Sequence, residues 1–203
     1  MAILSKNKTE KNKKMTLKKI YDNLCNSGFE SDKGKIHSYI DVYEEILAPY
    51  RETAKNILEI GIFKGDSLRM WKQYFVGHVY GIDCDIMPHG GMADLTEMVK
   101  SGEFNINLFD ATNENAVKDN FEGIMFDVIV EDAGHAVEQQ VELYNIWKNY
   151  LSPNGIYIIE DVQDIDNTRF TFENLDNSKN ITILDLRNKK GRYDDVLVII
   201  KDK

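Results

Sequence analysis

The chain is expected to fold as an α/β protein, with a seven-stranded, mostly parallel sheet, helices on both faces and a C-terminal antiparallel hairpin. Three features of the sequence predict this. Five short apolar runs alternate with stretches of helical periodicity, as repeated strand–helix–strand units do. The first run turns sharply through two glycines into a helix. The last two runs, 181–186 and 196–200, are joined by a polar turn around residues 188–195. That connection is too short for a parallel crossover, so the two strands must be antiparallel neighbours.

The first strand–turn–helix–strand unit spans residues 56–83. Residues 56–60 are apolar and β-branched, suited to a strand buried on both faces. Gly61 and Gly65 permit backbone angles that a side chain forbids and let the main chain approach a ligand. Asp66 or Ser67 is placed to cap a helix whose inward face is Leu68, Trp71 and Phe75. The second strand, 79–82, ends on Asp83, where such a unit presents an acid to ribose hydroxyls. A nucleoside ligand is therefore expected. The spacing lacks the second glycine of the dinucleotide fingerprint, and Glu59 ahead of the turn would repel a pyrophosphate while attracting an ammonium or sulfonium. The run Glu59-x-Gly61-x-x-x-Gly65-x-Ser67 resembles motif I of the class I S-adenosylmethionine (SAM) methyltransferases, whose Rossmann-like fold has the element order set out above.

Composition narrows the class. With 203 residues, 42% of them apolar, one domain with a full core is expected and no room remains for a second catalytic domain. A net charge of −9 disfavours a protein that gains affinity by neutralising phosphates, so no nucleic-acid partner is expected. No apolar run reaches the roughly 20 residues of a membrane span. The N-terminus has no hydrophobic signal core, and Cys25 and Cys84 have no metal-like spacing; together these point to the reducing cytoplasm. Residues 1–15, rich in lysine, read as a disordered basic tail, and residues 16–203 as a single domain. Within it, 16–50 would be a helical N-terminal cap and 56–203 the sheet core.

In order along the cap, Leu17, Ile20, Tyr21 and Leu24 mark a short helix that ends near Gly28, and a polar loop of residues 31–37 leads to a helix over about 39–47, closed by Pro49. This segment is expected to bring Asp32, Lys33 and His37 to the mouth of the pocket as substrate contacts. After Asp83 a proline and a Gly-Gly pair mark a loop carrying His89, a further candidate for substrate contact. A third strand, 104–109, ends on Asp110 and Ala111. The fourth, 126–130, ends in Glu131 and Asp132. A long amphipathic helix with Val137, Val141, Tyr144, Trp147 and Leu151 on one face follows, broken by Pro153 and Gly155. The fifth strand, 156–159, ends in Glu160 and Asp161.

Ligands of open α/β sheets bind beyond the carboxyl ends of the strands. Each of the five strands places an acid there. Glu59, Gly61, Gly65, Ser67, Asp83, Asp110, Ala111 and Asp132 are the candidate cofactor contacts. Asp132, Glu160 and Asp161 follow adjacent strands, and three carboxylates so close would repel one another unless a cation neutralised them. Oxygen ligands without cysteine suit Mg²⁺, or another hard divalent cation, better than zinc. His135 stands three residues after Asp132 and is the candidate general base, with Asp132 beside it in the catalytic set.

At these residues the resemblance sharpens. The runs SDKG, HSY, LEIGIFKGDS, DAGH and IIED are similar to those of the magnesium-dependent sugar O-methyltransferases that modify macrolide antibiotics, the mycinamicin and macrocin type. The resemblance covers roughly residues 30–165. It implies SAM and Mg²⁺ as cofactors, Asp132, Glu160 and Asp161 as metal ligands, His135 as base, and a hydroxyl of a sugar or glycosylated small molecule as methyl acceptor. Two departures stand out. The motif here is Asp-Ala-Gly-His where Asp-Gly-Ser-His is usual, and the extra N-terminal domain of some relatives is expected to be missing. A catechol-type small-molecule methyltransferase and a non-catalytic SAM-fold binding module are the alternatives. The expected partners are the small-molecule or glycan substrate and further copies of the chain in a homo-oligomer.

Overall fold

Alternation along the strands decides how the layers form. A computed structural model describes residues 15–84 and 98–203. In β1 (Asn56–Ile60), Ile57 packs into one core while Leu58 and Ile60 pack into the other. The central strands repeat the pattern, with Ile156 and Ile158 on the first face and Tyr157 and Ile159 on the second. Both faces are apolar, so both need helices.

The first face is covered by α1 (Leu17–Cys25), α2 (Asp32–Lys35), α3 (Tyr39–Leu47) and α4 (Asp66–Tyr74). Thr16 caps α1, its hydroxyl accepting from the Lys19 amide at 3.2 Å. Tyr43 of α3 meets Trp71 of α4 edge to face, with ring centroids 5.4 Å apart. The second face carries α5 (Glu114–Phe121), α6 (Val137–Trp147) and α7 (Ile165–Glu173). The remaining strands are β2 (His78–Asp83), β3 (Asn105–Leu108), β4 (Phe126–Glu131), β5 (Leu151–Ile159), β6 (Lys179–Asp185) and β7 (Val196–Asp202), with a short α8 (Arg187–Lys190) between the last two.

The sheet order is β3-β2-β1-β4-β5-β7-β6, parallel from β3 to β5. The last two strands pair antiparallel, as expected, and β7 inserts between β5 and β6. Two local expectations differ, and one helix was not expected. The α6 helix ends at Trp147, and Leu151 belongs to β5. Pro153 and Gly155 lie inside that strand, where a register irregularity lets Phe126 pair with Leu151 and Val128 with Ile156. The α7 helix has only Ile165 and Phe172 buried, a pattern too sparse to read as a helix from sequence. Among the described residues no helix is long and apolar enough to cross a membrane. Residues 1–14 of the expected tail, and the loop with His89, lie outside the described residues.

Candidate active site at the carboxyl ends of the strands

The glycine turn is built by backbone constraint. Gly61 has φ +86°, and a Cβ there would lie 2.2 Å from the Asp132 carbonyl oxygen. Only glycine lets β1 exit against the end of β4. Gly65, at φ +74°, is itself the N-cap of α4, which corrects the expectation that Asp66 or Ser67 caps it. Asp66 is the first helical residue and accepts from the Glu30 amide at 3.1 Å. Ser67 donates to Glu59 Oε2 at 2.5 Å. Asp83 Oδ2 accepts from the amides of Ile62 and Phe63, at 3.1 and 2.9 Å, so this acid organises the turn as well as facing the cleft.

The turn and the strand ends enclose a cleft of about 650 Å³, within the range of small-molecule sites. Gly61, Ser67, Asp83, Asp110, Ala111, Asp132, His135 and Asp161 line it, together with Lys33 on its floor. Asp110 sits in a turn, its Oδ1 accepting from the amide and hydroxyl of Thr112. Glu59 and Glu160 are fully buried beneath the cleft and do not line it.

Two of the residues expected at the mouth lie elsewhere. Lys33 is 1% exposed, and its ammonium sits among carboxylates: Asp132 Oδ2 at 2.7 Å, the two Glu160 oxygens at 2.8 and 2.7 Å, and Glu59 Oε1 at 3.1 Å. His37 is also buried, stacked on Tyr39 at 4.8 Å, with Nδ1 3.4 Å from Asp161 Oδ1. The short α2, capped by Ser31, turns both side chains inward under the sheet ends. Sequence reasoning missed Tyr39 and Tyr43. Tyr39 donates to Asp161 Oδ1 at 2.7 Å, and Tyr43 donates to Glu160 Oε1. Both lie in a stretch that the sequence marks only as a helix over about 39–47.

Asp132, His135 and Asp161 come together. His135 Nε2 is 3.8 Å from Asp132 Oδ1 and 3.7 Å from Asp161 Oδ2. Asp161 has φ +55°, a conformation costly for a residue with a side chain, and this turns it away from the strand direction toward the histidine. Gly134 lies in the loop that carries the imidazole; its φ is not positive, and the Gln139 side chain fills its open side.

The charges here are strongly coupled. Burial works against ionised Lys33, yet Asp132, Glu160 and Glu59 outweigh it and hold the ammonium well above its usual range. Burial pushes Asp132 up, but Lys33 and His135 more than reverse this, and it lies below the ordinary carboxylate range. Asp161 is pushed up to about 6 by burial and by Asp132. His135 is raised, chiefly by the neighbouring Asp132 carboxylate and despite partial burial. Lys33 is thus one cation among three carboxylates, and Asp132 and Asp161 line the cleft beside it. Their carboxylate oxygens and His135 offer ligand atoms within 4.8 Å of one another, a donor set that suits a hard divalent cation.

A mostly parallel sheet that presents a glycine turn, an acid at the end of β2 and a polar cluster at the ends of β4 and β5 has the Rossmann-like arrangement. The chain matches the family described as methyltransferase domain over residues 58–162, more than half its length, and it belongs to that family. It is 32% identical over 142 residues to the 8-demethyl-8-alpha-L-rhamnosyl tetracenomycin-C 2'-O-methyltransferase of Streptomyces olivaceus, covering 66% of this chain and 35% of that protein. It is 29% identical over 137 residues to the demethylmacrocin O-methyltransferase of Streptomyces fradiae, covering 64% and 33%. The chain therefore spans about a third of the length of these curated relatives. Among solved structures, the O-methyltransferase from Bacillus cereus in complex with SAH superposes with a TM-score of 0.64 at 16% identity, covering 92% of this chain and 90% of that one. The MycE methyltransferase of the mycinamycin biosynthetic pathway, solved with Mg, SAH and mycinamycin VI, gives 0.63 at 17% identity, covering 94% and 55%. These structural likenesses establish the fold.

Proposed function

We propose that the chain is a SAM-dependent O-methyltransferase that transfers a methyl group to a hydroxyl of a sugar or a glycosylated small molecule. The observation that carries this is the position of His135 Nε2, facing Asp132 and Asp161 in the cleft that the glycine turn also lines. Family membership and the named activities of the curated relatives support it.

SAM would lie over the ends of β1 and β2, with Gly61 allowing close approach, Asp83 beside the ribose, and Asp110 and Ala111 near the adenine. The acceptor hydroxyl would enter between the sulfonium methyl and His135. As its oxygen attacks the methyl carbon, the carbon–sulfur bond breaks and its electron pair returns to sulfur. His135 takes the hydroxyl proton, and Asp132 and Asp161 stabilise the imidazolium that forms. The cleft-facing oxygens of Asp132 and Asp161 would hold a divalent cation such as Mg²⁺, which when bound acts as a Lewis acid on the acceptor oxygen. Residues 16–203 work as one domain in this proposal, because α2 and α3 supply Lys33, Tyr39 and Tyr43 to the site.

The test is a methyl-transfer assay from labelled SAM to deoxyglycosides, glycosylated aromatics and phenolic diols, with and without chelator. Transfer to a glycoside hydroxyl that EDTA abolishes and Mg²⁺ restores is expected. Preference for phenolic diols would place the chain with the catechol-type enzymes. Tight SAM binding without transfer to any acceptor class would favour a binding module.

A further inference from the structure

Burial is inverted along two stretches that border the cleft. In residues 31–38 the polar side chains of Lys33 and His37 are each 1% exposed, while the apolar Ile36 is 45% exposed. Across the glycine turn Glu59 and Ser67 are buried, while Phe63 is 59% exposed. Folding normally sorts side chains the other way, and apolar surface left in water at a cavity marks a place that a ligand covers. Of the large apolar side chains exposed among the described residues, only Ile36 and Phe63 line the cleft.

Both are held in place by their backbone. Ile36 is the C-cap of α2, and its amide and that of His37 donate to the Asp32 carbonyl at 2.9 Å each. Phe63 has φ +46°, a conformation disfavoured for a residue with a Cβ, and its amide donates to Asp83 Oδ2 at 2.9 Å. The two stretches are also tied together. The Glu30 amide donates to Asp66 Oδ2 at 3.1 Å, and the Lys64 ammonium, 5.6 Å from the Phe63 ring centroid, pairs with Glu30 at 3.3 Å. Glu30 and Asp32 line the same cleft, and Lys64 is already paired, so an anionic group entering here meets like charge.

We propose that Ile36 and Phe63 are specificity-determining residues that hold the part of the acceptor remote from the reacting hydroxyl, and that this part is uncharged and apolar, as in an aryl glycoside. This rests on the reading of the cleft as a methyl-transfer site. Ile36 belongs to the segment that reaches the ends of β4 and β5 through Lys33, and Phe63 to the turn that leaves β1. A polar sugar ring gains little from either side chain. An apolar group gains by removing both from water. A sugar still linked to a nucleoside diphosphate gains nothing and brings the wrong charge.

The experiment is an NMR titration of protein carrying ¹³C-labelled isoleucine δ1 methyls, in excess S-adenosylhomocysteine. The probes share one sugar: 4-nitrophenyl glucoside, methyl glucoside and UDP-glucose. Loss of a resonance in Ile36→Thr assigns the Ile36 methyl, and thermal melts confirm that each variant is folded. The aryl glucoside should shift that resonance and bind at least about tenfold more tightly than the methyl glucoside, with UDP-glucose no tighter than the latter. Ile36→Thr and Phe63→Asn, the second chosen because asparagine tolerates positive φ, should each weaken aryl binding by about three- to tenfold. Ile36→Val and Phe63→Tyr should recover most of that loss. Affinity for S-adenosylhomocysteine should stay within about threefold of wild type throughout. Equal binding of the aryl and methyl glucosides, tighter binding of UDP-glucose, or a larger loss of S-adenosylhomocysteine affinity in either variant would overturn the proposal. Methyl transfer is not read here. Failure to methylate any glycoside while these affinities hold would bring down the methyltransferase proposal and leave this one standing.

Discussion

His135 and Glu131 hold their protons for opposite reasons, and each gives a pH signature. Asp132 and Asp161 raise the affinity of His135 for its proton, so a base at this position becomes available only as pH rises through that raised value. In the metal-free protein, with EDTA present, an NMR titration of this imidazole should therefore give a value above the ordinary histidine range, and Asp161→Asn should lower it. His135→Ala should lower kcat by about 10²–10⁴-fold while leaving SAM affinity near that of the wild type. Normal turnover by that variant would remove the base from the mechanism. Glu131, one residue from Asp132, points to the opposite face and is fully buried, and burial pushes it up to about 8. A carboxyl whose folded value is raised costs stability progressively as pH climbs from its unfolded value near 4.5 to about 8. Glu131→Gln should accordingly raise the melting temperature over wild type by an amount that grows from pH 5 to pH 8 and then levels off. A gain that is flat across this range would contradict the assignment.

At the scale of elements, the glycine turn and the strand ends were legible because their constraints are local. Apolar runs bounded by turn residues gave the strands, and period-two alternation places Glu59, Asp132 and Glu160 on one face. Long-range placement was not legible. Lys33 is 99 residues from Asp132 and 127 from Glu160, and only the packing of α2 against the sheet brings them together. The insertion of β7 beside β5 was hidden for a related reason: a short turn fixes that β6 and β7 are antiparallel, but not which of them pairs with the older sheet. The turn itself gives a sharp comparison. Gly61→Ala places a Cβ into the Asp132 backbone and should cost at least about 2–4 kcal/mol and abolish SAM binding. Gly191→Ala, at φ +73° with open space around the Cβ, should cost only about 1–2 kcal/mol, the price of the left-handed conformation. Denaturant titration of both variants separates a steric wall from a conformational preference.

Over the whole molecule, the first and last parts of the chain close on the same site. Lys190 donates to the carbonyls of Gly34 and His37, the Ser38 amide donates to Asp195 at 2.9 Å, and Tyr39 reaches the Asp194 carbonyl at 3.1 Å. The connection between β6 and β7 thus holds the segment that carries Lys33, while the parallel half of the sheet supplies the glycine turn and the acids. The site belongs to the assembled sheet and its N-terminal cover, which is why neither half would suffice alone. The most direct test is calorimetric titration of the purified chain with S-adenosylhomocysteine. One equivalent bound with a Kd below about 100 μM, lost in Gly61→Ala and retained in His135→Ala, is the predicted result. No binding heat from the wild type at millimolar ligand would contradict the account at its centre.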